Sequence, residues 1–286
     1  SGNTWSSPFN ISSFMPNGLA IKFISLAVDK LDGFHGCAVI KVSGSPTINN
    51  NSLYWINSTD GVSWSATNVS VVSASGSCDI ELDSNGNIHI IGYVQSGAGL
   101  DLYHYNFSYG ASPTAQKTAI AYGTSGDLSI ATDRNNNIFT VQENALGNAT
   151  FYNSSDGLTW QVGSLPSAGS GSETDFVDIV TDNPCSIRAI WQADTNTDDD
   201  DIFYSNSSNC GEAWTSAIKI QDGGTTSDDS GYLHQLGSSY PIFNKPTGLL
   251  HYFFWTDEGT NRWQYSNYTY NWTDVGRPDN RFSSHN

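Results

Sequence analysis

Three segments of the chain repeat one pattern: Tyr54 to Trp64, Phe151 to Trp160 and Phe203 to Trp214. Each runs from an aromatic stretch through Ser, Asp or Asn, and Gly to a Trp. The copies are Ser58, Asp60, Gly61 and Trp64; Ser154, Asp156, Gly157 and Trp160; and Ser207, Asn209, Gly211 and Trp214. Recurrence of one supersecondary unit restricts the fold to repeat architectures. Within each copy the Asp or Asn side chain can accept N–H bonds inside its own turn, and Gly supplies a positive φ. The Trp can lay its indole beside that turn and bury a large apolar area. The unit is therefore the tip of a β-hairpin.

This unit resembles the Asp-box, or bacterial neuraminidase repeat, of sialidase-like β-propellers. Ser207 to Trp214 follows the spacing Ser-x-Asp-x-Gly-x-x-Trp with Asn209 in place of Asp, and the copies at Ser58 and Ser154 are one residue shorter. The resemblance implies a toroid of four-stranded blades with the box on an outer hairpin, far from the central pocket. It bears on fold, not on function.

A second marker recurs at intervals of roughly fifty residues. Asp29, Asp83, Asp133 and Asp182 each end an apolar strand and open a turn, and an apolar strand follows each. Asn244 to Gly248 is a fifth such turn. These are hairpins between the first and second strands of a blade. They predict one all-β propeller domain over residues 1–286. Its five four-stranded blades are 20–73, 74–123, 124–167, 168–223 and 224–276, and residues 277–286 form a polar tail. Residues 1–19 are read as a linker and an extra outer strand, Thr4, Trp5, Ser6, Ser7, Pro8, Phe9, Asn10, Ile11 and Ser12. Trp5 looks like the second half of a box, so the chain is expected to start inside a blade. Such an unpaired strand is a template for pairing with a second copy, in a filament or surface layer.

Net charge is −17 with only 11 Lys plus Arg, which excludes nucleic acid as a partner. No apolar run is long enough to span a membrane. Asn-x-Ser/Thr sequons occur at Asn10, Asn50, Asn57, Asn68, Asn106, Asn148, Asn153, Asn206, Asn267 and Asn271. A chain this rich in Asn, Ser and Thr produces several by composition alone, yet many fall on expected turns where a glycan would be tolerated. The expected setting is extracellular or cell-surface, after processing.

Cys185 and Cys210 lie in two turns of the fourth blade that face the same side, so a disulfide between them is expected. Cys37 and Cys78 then pair only by elimination, and four buried thiols are the alternative.

The sialidase resemblance implies an arginine triad, a Tyr–Glu nucleophile pair and an Asp acid/base. Only Arg134, Arg188, Arg262, Arg277 and Arg281 are present. Arg134 sits in a turn at the end away from the expected pocket, Arg277 and Arg281 lie in the tail, and two arginines do not make a triad. The 6 histidines show neither HExxH nor a close pair in sequence. These absences lead to the expectation of a non-enzymatic propeller acting in self-assembly or adhesion. The alternative is a glycan-binding or glycoside-hydrolysing propeller.

That alternative draws on the acidic run from Asp194 to Asp201, expected in the loop between the second and third strands of blade four. Asp198, Asp199, Asp200 and Asp201 could hold Ca²⁺ there, although a solvated loop would look the same. Trp191, Trp255 and Tyr93 end second strands beside such loops. They could stack on sugar rings or simply pack between blades.

Overall fold

The computed structural model describes residues 10–15, 20–41, 51–69, 74–96, 99–111, 117–123, 126–143, 149–169, 173–196, 199–221, 242–244, 249–256 and 262–269. They form a nearly all-β propeller. Blade one is β1 (Ala20–Val28), β2 (Phe34–Lys41), β3 (Asn51–Ser58) and β4 (Ser65–Asn68). Blade two is β5 (Ala74–Leu82), β6 (Asn87–Ser96), β7 (Gly99–Ser108) and β8 (Lys117–Gly123). Blade three is β9 (Leu128–Thr132), β10 (Ile138–Glu143), β11 (Ala149–Ser154) and β12 (Gln161–Ser164). Blade four is β13 (Glu173–Asn183), β14 (Ser186–Asn196), β15 (Asp199–Ser207) and β16 (Ile218–Gln221). The fifth sheet shows β17 (Ile242–Asn244), β18 (Leu249–Thr256) and β19 (Arg262–Thr269). Every pairing is antiparallel and sequential, as hairpins dictate. The expected outer strand of the fifth blade, near Trp272, lies outside the described residues.

The first strands succeed one another around an axis: β1 lies beside β5, β5 beside β9, β9 beside β13 and β13 beside β17. Side chains stitch them together. Ser25 Oγ donates to Asp79 (2.6 Å), the Ile130 amide donates to the other Asp79 oxygen (2.9 Å), and Ser129 Oγ donates to Asp178 (2.6 Å). Thr132 and Thr181 each donate to the backbone of the preceding first strand. A β-blade sandwiched between two others must be apolar on both faces, and strand alternation delivers this. On β2, Cys37 and Val39 join a cluster with Ile80, Ile88 and Ile90 of blade two. Ala38 and Ile40 point the other way, against Ile11 and Met15. Blades two and three share Ile91, Tyr93, Ile130 and Tyr152, and blades three and four share Phe139, Phe151, Ile179 and Trp191.

Both disulfides are formed. Cys185–Cys210 staples two turns of blade four, and Cys37–Cys78 joins β2 to β5 across the first seam.

The N-terminal segment differs from the expected strand where it is described. Ile11 and Ser12 belong to a 3-10 turn, Ile11–Phe14, that packs on blade one beside Trp64. Residues 1–9, with Thr4 to Phe9, lie outside the described residues. Among the described residues no helix is long and apolar enough to cross a membrane.

Candidate functional site

The three box turns use one set of hydrogen bonds. Ser58 Oγ donates to Asp60 and accepts the Gly61 amide, while Asp60 accepts the amides of Val62 (2.8 Å) and Ser63 (2.6 Å). Ser154 and Asp156 repeat this with Gly157, Leu158 and Thr159. Ser207 and Asn209 repeat it with Gly211 and Ala213. The N–H donors hold Asp60 and Asp156 at about 2, the largest contributions coming from Ser63 and Thr159. All three turns are outer hairpins closed by their own side chains, and Ser58 and Thr59 of the first also line a cavity.

That cavity, of about 880 Å³, lies at the axis, where β1, β5, β9 and β13 end and their turns begin. Its rim is continuous from turn to turn. Lys30 Nζ donates to the Ser84 carbonyl (2.5 Å), Ser84 donates through its amide and hydroxyl to Asn136, and the Cys185 amide donates to Asp133 (2.8 Å). The turn carboxylates on this rim are committed. Asp29 takes the amides of Leu31 and Gly33 together with His35 Nε2, and Asp83 takes Asn85 and both nitrogens of Asn87, with His89 Nε2 3.5 Å away. His35 holds the Asp29 carboxyl below its usual range. Burial opposes the charge of Asp83, but His89 and Asn87 outweigh it and bring the group to about 2.

Glu81 behaves in the opposite way. It is half-buried, lines the cavity, and sits two residues along β5 from Asp79. Removal from bulk water, then the charge of Asp79, pushes its carboxyl up to about 8. Asp178, farther along the same belt, is raised mainly by burial as well. At neutral pH the cavity thus contains a carboxylic acid that still carries its proton, beside carboxylates that do not. Such divergence within one pocket sets up proton donation to a bound oxygen.

The mouth is apolar on one side. Val28, Leu31 and Tyr109 line it at 57%, 90% and 60% exposure, and the Tyr109 ring stands edge-on to His35 and Trp55. An exposed aromatic face beside hydroxyl, amide and carboxyl groups suits a sugar ring.

Several expected site residues are placed elsewhere. Trp191 and Tyr93 are 1% exposed. Trp191 stacks on Phe203, and Tyr93 donates to Gln142 across the seam of blades two and three. Both are interblade packing, not sugar platforms, because a second strand is covered on both faces. The side chain of Trp255 lies outside the described residues. The acidic run is not a loop: β14 extends to Asn196 and β15 begins at Asp199. Asp201 is fully buried and ion-paired with Lys219 Nζ at 2.6 Å, so it is not a free calcium ligand. Asp198 and the side chains of Asp199 and Asp200 are outside the described residues, and no metal-ligating group is found among the described ones. Arg134 lines the cavity, so its turn lies at the pocket end after all. Of the sequons, Asn10 and Asn68 are exposed, while Asn57, Asn106, Asn153 and Asn206 are half-buried. Asn153 Nδ2, the atom a glycan would take, donates to the Cys210 carbonyl at 2.7 Å. Asn50, Asn148, Asn271 and the Asn267 side chain are not described.

No family model matches the chain, and no curated protein does. Solved structures do match in fold. The sialidase NanB is 12% identical at a TM-score of 0.56, covering 90% of this chain and 60% of its own. The Aleuria aurantia lectin, described as a six-bladed β-propeller with a fucose recognition mode, is 14% identical at 0.53, covering 86% and 73%. An N-acetylgalactosamine deacetylase from F. plautii, in complex with blood group B trisaccharide, is 11% identical at 0.51, covering 91% of each chain. These likenesses carry the fold. They also correct the expectation of a non-enzymatic protein: NanB and the deacetylase are enzymes built on this architecture, so a missing arginine triad does not remove the chain from the enzymes.

Proposed function

We propose that this chain is a carbohydrate-recognising β-propeller, acting outside the cell, with the axial cavity as its sugar site. The observation that carries the reading is the cavity itself: an apolar mouth of Val28, Leu31 and Tyr109 above a polar wall, large enough for one or two sugar rings. Propellers of this fold that recognise fucose or hold a blood group trisaccharide support the class of ligand. Two disulfides support an oxidising compartment. The expected result is that Tyr109→Ala weakens glycan binding by about tenfold through loss of one stacking face, with melting temperature unchanged. An oligosaccharide array followed by titration calorimetry measures this. Failure of the native chain to bind any neutral or acidic glycan would sink the reading.

A second reading, glycoside hydrolysis, is favoured by Glu81. A protonated carboxyl is what protonation of a leaving sugar oxygen requires, with an ionised carboxylate as its partner. Release of reducing sugar from a panel of glycosides, lost in Glu81→Gln, tests it. Binding without release would retain the first reading alone.

A further inference from the structure

In blades one to three, two equivalent positions, one on the second strand and one on the third, carry a stacked ring pair. In blade one these are His35 and Trp55, with centroids 6.0 Å apart, and in blade three Phe139 and Phe151, 6.2 Å apart. Blade two places His89 and His104 there, 5.2 Å apart and 12° from parallel. Both are buried. The pair is the middle of a polar chain that crosses the seam from the cavity rim to the box turn of blade three.

Hydrogen-bond chemistry assigns the protons along this chain. The Gly157 carbonyl can only accept, so His104 Nδ1 at 3.2 Å donates to it. A neutral His104 then has a lone pair on Nε2, and His89 Nδ1 donates into it at 3.0 Å. The other His89 nitrogen lies 3.5 Å from the Asp83 carboxylate and makes no hydrogen bond. His104 is thus held as a neutral imidazole with its proton on Nδ1, and its Nε2 lone pair is taken up by the His89 N–H.

We propose that His89 and His104 form an acid-sensitive latch between blades two and three, closed while the His104 Nε2 lone pair accepts from His89 and opened when that nitrogen takes a proton. A proton on His104 Nε2 would put N–H against N–H at hydrogen-bond distance between the stacked rings. The titratable groups facing the pair are Asp83, from the turn before β6, and Glu81, the register partner of His89 on β5, which keeps its proton below about 8. Gly157 and Trp160, whose indole stands edge-on to His104 at 5.2 Å, bring no charge. Asp156, in the same turn, directs its carboxylate to the Leu158 and Thr159 amides. Burial first, then the charge of His89, depresses His104 to about 3 against the Gly157 bond. The unfolded chain therefore binds the extra proton more readily between about 3 and 6.5, and the latch loses stability as pH falls through that window. The proposal is independent of whether the cavity takes a sugar.

The control is a double variant, His89→Phe with His104→Phe, which installs the ring pair of blade three. Thermal unfolding of both proteins at pH 7 and pH 4 reads the difference. The native chain should lose roughly 5–10 °C more than the variant on acidification. Equal losses would overturn the latch. Nitrogen NMR of histidine-labelled native protein gives a readout that does not depend on the variant folding. It should show His104 neutral with its proton on Nδ1 at pH 5. Two rings titrating together near their ordinary midpoint would overturn the assignment.

Discussion

Glu81→Gln should make the protein more stable at pH 8, by on the order of 3 kcal/mol. The sign follows from the raised carboxyl. Below the ordinary carboxylate range Glu81 is protonated in folded and unfolded chains alike, and it costs nothing. As pH rises toward 8 the unfolded chain ionises while the folded one keeps its proton, so native stability falls through that window. Above 8 the full cost of a charge beside Asp79 is present. Glutamine keeps the shape and removes the charge. Water in the cavity screens part of the effect, which is why the magnitude is set below that of a fully enclosed group. Going from pH 5 to pH 8 in denaturant melts, the native chain should fare worse than the variant by about that amount, since both keep the pH dependence of His104. If Glu81 also donates a proton to a glycoside, the same substitution should lower turnover by about 100-fold while sugar binding persists. A gain in stability with a loss of activity is the pattern of a strained functional residue. An unchanged pH 8 melt would show that Glu81 ionises freely.

The blades were legible because their punctuation is local. Asp29, Asp83 and Asp133 close their own turns with amides two and four residues on, so the sequence alone marks where first strands end. The box turns are local for the same reason. The site was less legible because it depends on which faces meet. Trp191 and Tyr93 are expected from sequence to end strands beside loops, but β14 and β6 run past them to Asn196 and Ser96, and sequence cannot tell a covered second strand from an open one. Asp201 belongs to a run of acids, yet strand alternation turns it inward to Lys219. The histidine pair is invisible as a motif, since His89 and His104 are on different strands and meet only through the register of β6 and β7. A signal did exist: superposing the repeats puts them where blade three has Phe139 and Phe151. The cavity end was misplaced because the sialidase resemblance directs attention to the opposite loops.

The largest loss of stability should come from a single methyl group at Gly211. Its φ is +87°, a region where a side chain is strained. A Cβ built there would lie 2.1 Å from Phe151 Cε1 and 2.5 Å from its Cζ. Phe151 cannot give way: it is 1% exposed, stacked on Phe139 and met edge-on by Trp214 at 5.3 Å. Backbone strain and overpacking together set the expected cost of Gly211→Ala at about 3–5 kcal/mol. Gly86 separates the two causes. Its φ is +82°, but nothing lies within 4 Å of the added carbon, so Gly86→Ala should cost only about 1 kcal/mol. Urea titration of both variants at neutral pH measures the difference, with a common slope confirming that the same surface is exposed on unfolding. If the two variants were equally stable, the turn of blade four would not be seated on Phe151, and the close packing of blades three and four through their box Trp would have to be abandoned.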